Sequence, residues 1–226
     1  MTAIRTARER ARAELTREIK EEARRQLAEV GSAQLSLRAV ARALGMASSA
    51  VYRYFPSRDE LLTALITDAY DSLGDAVEAA DDPAAAPRER WSSLCAAVRS
   101  WAIERPHEYA LLYGSPVPGY HAPPQTVAPG TRVVLRCALI AQDARPLRPA
   151  FPGPLDPALS AQMAAVAAAT GLELAPEEAA RVLIVWSQLF GLVGFELFGQ
   201  FTGSADPAGP LFRHATDQMA VYLGLP

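Results

Sequence analysis

The chain has 226 residues, 50% hydrophobic and 21% charged, the profile of a globular chain able to bury a core in one large or two modest domains. Its net charge of −3 argues at first against a nucleic-acid binder, but the charge is split: residues 1–60 carry 12 Arg/Lys against 8 Asp/Glu, and residues 61–226 carry 10 against 17. A basic head on an acidic body does not exclude DNA.

No strand-like alternation is present, and helical patterns recur in chain order. Residues 8–30 read as an Arg/Glu/Leu-rich helix with Leu15, Ile19, Ala23, Leu27 and Val30 on one face, ending at Gly31. Ser36 is placed to cap a short helix through Ala43, with Leu37, Val40, Ala41 and Leu44 turned inward. Gly45 is placed to end it in a left-handed conformation. A second short helix is expected over 47–54. Ser57 and Glu60 form a Ser-x-x-Glu capping box that opens a helix to about Ala80.

Beyond the linker 81–87, Pro87 opens a helix to Glu104 and Pro106 another to Tyr113, since proline is tolerated in a first turn. A Pro/Gly-rich loop is expected over 114–130, a helix over 130–142, and a second Pro-rich loop over 145–156. Asp156-Pro157 opens a helix to Gly171. Pro176 opens a long apolar helix to about Gln200, apolar nearly all round and so expected to be buried on all sides. Asp206-Pro207 opens the last helix, with Phe212, Thr216, Met219 and Leu223 along one face. The reading is all-α, with a boundary at 60 (1–60 and 61–226) and helix 57–80 as connector.

The stretch Ser36–Leu62 holds two short helices joined by a glycine turn, which need a third helix to pack on. Leu37, Val40, Leu44, Met46, Val51 and Phe55 account for the packing. Ser48, Ser49, Tyr52, Arg53 and Tyr54 remain, all able to bond phosphate oxygens or base edges. The start of the second helix adds a partial positive charge. This is a helix-turn-helix, whose second helix enters the major groove. Tyr52 and Tyr54 stand two apart and cannot share a face, so at most one is buried. Arg38 and Arg53 read equally as solvated residues or DNA contacts. Arg5, Arg8, Arg10 and Arg12 form either a solvated helix start or an arm that reaches DNA.

With Ser36-Leu37-Arg38-Ala39-Val40-Ala41, Leu44-Gly45-Met46 and Val51-Tyr52-Arg53-Tyr54-Phe55-Pro56-Ser57-Arg58-Asp59-Glu60-Leu61-Leu62, the segment resembles the TetR-type transcriptional regulators. The resemblance covers about a quarter of the chain. It implies phosphate contacts from Tyr52 and Tyr54, and from Arg58, which stands where the family usually has lysine. It implies base and backbone contacts near Ser48 and Ser49. Two positions depart from the pattern. Ala47 lacks the usual capping hydroxyl, and Ser48 replaces a frequent Lys or Arg, which lowers the expected base readout.

The remainder resembles a ligand-binding type of the same family marked by Trp-x-x-x-His-Gly. Here the stretch reads Trp186-Ser187-Gln188-Leu189-Phe190-Gly191, with Phe190 in place of the histidine. That resemblance implies a C-terminal bundle for ligand binding and dimerisation. Helices 176–200 and 207–224 from two copies would form a four-helix homodimer interface. Trp91, Leu94, Cys95, Val98, Tyr109, Tyr113, Leu135, Trp186 and Phe190 are the candidates for an apolar pocket, whose effector would be small and hydrophobic or aromatic. Each of them reads more readily as ordinary core than as a ligand contact.

Cys95 and Cys137 lack CxxC spacing or a neighbouring histidine and read as buried free thiols in a reduced, cytoplasmic protein. His107, His121 and His214 match no metal spacing, and neither a GxSxG nor a nucleotide fingerprint occurs, so neither an enzyme nor a cofactor is expected. The apolar helix carries Gln188 and Glu196 and reads as core rather than as a membrane span. The sequence therefore points to a DNA-binding repressor that acts on a double-stranded operator and responds to a ligand. The alternatives are a constitutive DNA binder and a helical ligand-binding module that has lost DNA binding.

Overall fold

The computed structural model describes residues 2–151 and 153–226, with side chains from Ala7 onward, so the side chain of Arg5 lies outside the described residues. The described chain is all-helical: α1 (Thr2–Val30), α2 (Leu37–Ala43), α3 (Ser48–Val51), α4 (Arg58–Ala80), α5 (Pro87–Glu104), α6 (Pro106–Tyr113), α7 (Val127–Asp143), α8 (Pro157–Thr170), α9 (Pro176–Leu197) and α10 (Gly209–Leu223). Short 3-10 turns occupy Ser32–Gln34 and Pro124–Thr126.

Several bounds follow directly from capping chemistry. The Asp156 carboxylate accepts from Ala158 N at 2.9 Å and Leu159 N at 3.1 Å, which satisfies two of the N–H groups a helix start leaves unpaired. Glu60 N donates to Ser57 Oγ at 3.1 Å, one half of the expected capping box. Other expectations shift. Helix α7 starts at Val127 rather than 130, because Pro129 falls in the first turn, where its missing N–H costs nothing. Helix α10 starts at Gly209 rather than at Asp206-Pro207, with Pro210 now taking the first-turn position. Helix α9 ends at Leu197 rather than near Gln200.

The chain divides into two compact units, Met1–Tyr70 with Arg105–Val127, and Asp71–Glu104 with Ala128–Pro226. The expected boundary at 60 is therefore displaced, and the first unit is discontinuous in sequence. Helix α4 contributes its first half to one unit and its second half to the other.

In the first unit, Ile19, Ala23 and Leu27 of α1 pack on Leu37, Val40 and Ala41 of α2, Val51 of α3, Phe55, and Leu61, Leu62 and Leu65 of α4. Burial of each Ile, Leu, Val or Phe among them contributes roughly 1.5–3 kcal/mol, enough to hold helices too short to stand alone. Val30, expected on the same stripe, is 44% exposed at the helix end. Val117 completes this core, and the Tyr120 hydroxyl lies 2.9 Å from Thr63 Oγ1. Segment 105–127 is thus built into the head, because its apolar side chains fill what the helix-turn-helix leaves open.

In the second unit, α9 packs against α5, α8 and α10. Trp91, Leu94, Cys95 and Val98 of α5, Val182, Val185, Leu189 and Val193 of α9, and Phe212, Met219 and Leu223 of α10 are buried. Helix α7 is tied to α4 by Arg132, whose guanidinium donates to Asp75 Oδ1 at 2.6 Å, Glu78 Oε1 at 2.9 Å and Asp71 O at 3.0 Å. The Arg132 side chain lies directly over Gly74, where a Cβ would stand 2.5 Å from Arg132 Nε. Helix α9 is long and apolar enough to cross a membrane by length and composition alone, yet its Glu196 carboxylate is held by Arg99 Nε at 2.7 Å. It is not buried on all sides within one chain: Ile184 is 41% and Phe195 55% exposed.

Candidate nucleic-acid interface

The turn between α2 and α3 is set by backbone chemistry. Gly45 takes φ +64, Gly45 N donates to Arg42 O at 3.2 Å and Met46 N to Ala41 O at 2.8 Å. This paired pattern closes a helix through a left-handed residue, which a Cβ would strain. Ser36 occupies the N-cap position of α2, but its side chain makes no cap bond and only its carbonyl is used, by Val40 N at 3.0 Å.

Helix α3 is a single turn rather than the expected 47–54. Beyond Val51 three-residue bonds enter, Arg53 N to Ala50 O at 3.2 Å and Tyr54 N to Val51 O at 2.9 Å, before Phe55 N closes on Val51 O at 3.0 Å. Pro56 follows, and the residue before a proline disfavours helix. One turn carries little macrodipole, so phosphate attraction falls to side chains rather than to the helix start.

Val51 is fully buried and anchors this turn, while Ser48, Ser49, Tyr52 and Arg53 are exposed on it. Arg38 is exposed on α2 and Ser36 is half-buried. The two tyrosines separate as the two-residue spacing requires. Tyr52 is 41% exposed, whereas Tyr54 is half-buried against the core with the Arg12 guanidinium 5.3 Å from its ring centroid. Arg58 is occupied otherwise than the resemblance implies. Its Nη2 donates to Ser32 O at 2.7 Å and its Nε to Leu35 O at 3.2 Å, so much of its donor capacity serves the α1–α2 turn. The link between Arg12 and Tyr54 had no sequence signal, since no periodicity joins positions 42 apart.

Much of the head's remaining positive charge is neutralised internally. Asp68 takes Lys20 Nζ at 2.8 Å and Arg24 Nη2 at 2.6 Å, and Arg24 Nε reaches Glu108 at 3.0 Å. Arg25 pairs with Glu22 at 2.7 Å and Glu29 at 2.8 Å. Arg17 grips Glu14 and Glu21, holding the Glu14 carboxyl below its usual range.

The apolar candidates divide between the units. Tyr109 and Tyr113 lie in the first, on α6, with ring centroids 5.2 Å apart and Tyr70 edge-on to Tyr113 at 6.2 Å. Burial pushes the Tyr113 hydroxyl's pKa far up. Trp91, Leu94, Cys95, Val98, Leu135, Trp186 and Phe190 lie in the second, where all are buried except the half-buried Leu135 and Trp186. Trp91 Nε1 donates to Thr216 O at 2.9 Å and Trp101 Nε1 to Ser72 Oγ at 3.0 Å. Trp186 Nε1 is buried with no partner, and its ring lies edge-on to Phe190 at 5.7 Å. A groove of about 570 Å³ in the second unit, between α9 and α10, is lined by Gly191, Leu192, Phe195, Met219, Tyr222 and Phe151 among others, and by none of these candidates.

Comparison with known proteins gives concordant matches. The family described as bacterial regulatory proteins, tetR family, matches residues 19–65, and the tetracyclin repressor-like C-terminal domain matches residues 91–219. Over 202 residues the chain is 42% identical to the HTH-type transcriptional regulator Rv1816 of Mycobacterium tuberculosis, covering 84% of each. HTH-type transcriptional regulator Mb1846 of Mycobacterium bovis matches with the same identity and coverage. Among solved structures, the regulatory protein SCO4313 superposes with a TM-score of 0.77 at 34% identity, covering 93% of this chain and 97% of that one. PfmR of Thermus thermophilus, a TetR family transcriptional regulator, superposes at 0.55 with 21% identity over 92% of this chain and 98% of its own, a likeness of fold alone.

Proposed function

Because the chain belongs to the tetR family of bacterial regulatory proteins, we propose that it acts as a homodimeric repressor released from a palindromic operator by a small hydrophobic or aromatic ligand. Membership implies a non-enzymatic, DNA-binding and dimerising transcription regulator in the cytoplasm. The observation that carries the DNA assignment is the turn Ser48–Arg53, where buried Val51 fixes a surface of two serines, Tyr52 and Arg53. Hydroxyls and a guanidinium on a helix held from behind suit phosphate and base edges. Tyr52 supplies a phosphate contact from its exposed ring, and half-buried Tyr54 supplies one beside Arg12.

The dimer reading rests on the α9–α10 face. Ile184 at 41%, Phe195 at 55%, Phe198 at 49% and Val221 at 36% exposure leave an apolar surface on one copy, and a second copy would bury it with twofold symmetry. Two recognition helices then stand about 34 Å apart, one turn of DNA. The ligand reading rests on Trp186 of α9, whose buried, unpartnered N–H beside the Phe190 ring is a donor awaiting an acceptor. Helix α4, shared by both units, is one of the covalent routes between body and head. A ligand shifts DNA affinity only by its different affinity for the two states.

The test is a gel-shift on DNA from the chain's own upstream region, combined with a thermal-shift screen of aromatic and aliphatic acids, alcohols and ketones. Binding that is lost on addition of a compound that raises the melting temperature supports the proposal. Binding that no stabilising compound alters removes the ligand-release step.

A further inference from the structure

Helix α1 runs from Thr2, while its packed residues begin at half-buried Leu15 and buried Ile19. Residues 7–14 are all exposed. Two turns of helix thus extend past the core without burying an apolar face, and what they carry is arginine. The described basic side chains of α1 fall into two groups. Arg17, Lys20, Arg24 and Arg25 are each held by a carboxylate at 3.0 Å or less, and Arg10 and Glu9 are also engaged. Arg8 and Arg12 have no carboxylate among the described residues.

These two stand four apart, so they share one helical face. Arg12 lies over the ring of Tyr54, at 5.3 Å from its centroid, which makes this face continuous with the proposed DNA surface. A cation over an aromatic ring keeps its N–H groups at the edge free for an acceptor. Arginine in particular forms paired bonds to phosphate oxygens. The neighbouring carboxylates Glu14 and Asp68 are already paired, so they do not cancel these two charges.

We infer that Arg8 and Arg12 form a second phosphate-contacting surface on α1, next to Tyr54, which grips the backbone of duplex DNA beside the site read by α3. This inference rests on the DNA-binding reading above and adds sequence-independent contacts to it. Because the contacts are to phosphate, they act on any duplex, and each releases condensed counterions.

The experiment is a fluorescence-anisotropy titration of the full chain against two probes across a salt series. One probe is a mixed-sequence duplex, and the other is the chain's own upstream region. The Arg8→Gln/Arg12→Gln variant is compared with Arg17→Gln as the control whose charge is already paired. The double variant is expected to lower the slope of log K against log salt by roughly 0.9 for each phosphate contact removed, equally on both probes, with the melting temperature unchanged. Arg12→Lys is expected to restore part of that loss, and Arg17→Gln to leave the slope as in the wild type. A wild-type slope in the double variant, or an equal drop in Arg17→Gln, overturns the inference while leaving the DNA-binding reading intact. A wild-type chain that binds neither probe overturns both.

Discussion

The Arg58 guanidinium holds the carbonyl of Leu35 at 3.2 Å and, through Nη2, that of Ser32 at 2.7 Å, so the first residue of α4 closes the turn between α1 and α2. Hydrogen bonds from a charged group are worth about 1.5–3 kcal/mol each. Arg58→Ala should therefore destabilise the head by a few kcal/mol, read as a lowered denaturant midpoint. Its DNA salt slope should stay near that of the wild type, whereas a direct phosphate contact would lower the slope by about 0.9.

Tyr52 and Tyr54 should separate in experiment as they do in space. Tyr52→Phe removes an exposed hydroxyl and should weaken operator binding by about tenfold, the equivalent of roughly 1.4 kcal/mol, with unchanged stability. Tyr54→Ala should cost stability as well, because that ring packs on the core beneath Arg12. Undiminished binding by the Tyr52→Phe/Tyr54→Phe double variant would remove the phosphate roles given to both.

The second unit holds a buried ion network. Arg90 Nε and Nη2 donate to Asp81 at 2.7 and 3.1 Å, and Arg90 Nη1 to Asp143 at 2.9 Å. The bond from Arg90 keeps the Asp81 carboxyl below its ordinary range. A depressed folded-state value means that this stability is complete above the unfolded carboxylate's pKa of about 3.9 and is lost as pH falls through the lower folded value. Asp81→Asn should cost about 1.5–3 kcal/mol, because Arg90 loses its fully buried carboxylate but keeps Asp143. Unfolding curves over a pH series should also lose part of their acid slope in this variant.

The two cysteines should be inert in the folded protein. Burial pushes the Cys137 thiol up to about 12 and the Cys95 thiol well above its usual value, and the thiolate is the reactive form. A chromogenic disulfide reagent near pH 8 should find neither thiol until denaturant is added. Rapid labelling of the native chain would contradict the burial of Cys95 and Cys137.

Much of the fold is legible because helix ends are local chemistry. Pro87, Pro106, Asp156-Pro157 and Gly171 mark ends that the structure keeps within a residue. The inward stripes on α1, α2 and α10 are equally local, since they follow from the helical repeat alone. Segment 105–127 is different. Its Val117 and Tyr120 complete the head's core from a Pro/Gly-rich stretch without periodicity, and nothing in a single sequence indicates such a long-range fit. The same reason hid the carbonyl partners of Arg58 and the stacking of Arg12 on Tyr54. The split of Tyr109 and Tyr113 from Trp186 and Phe190 was hidden too, because helical patterns show which face is apolar but not which helix it meets.

The central claim is that Ser48–Arg53 reads a specific duplex as a dimer. Its most direct measurement is anisotropy of the labelled upstream region titrated with wild-type chain and with Tyr52→Phe, alongside a mixed-sequence duplex of equal length. The expected result is saturation at two protomers per site, tighter on the upstream region than on the mixed duplex and weakened about tenfold by the substitution. Equal affinity for both duplexes, unaffected by Tyr52→Phe, would contradict it.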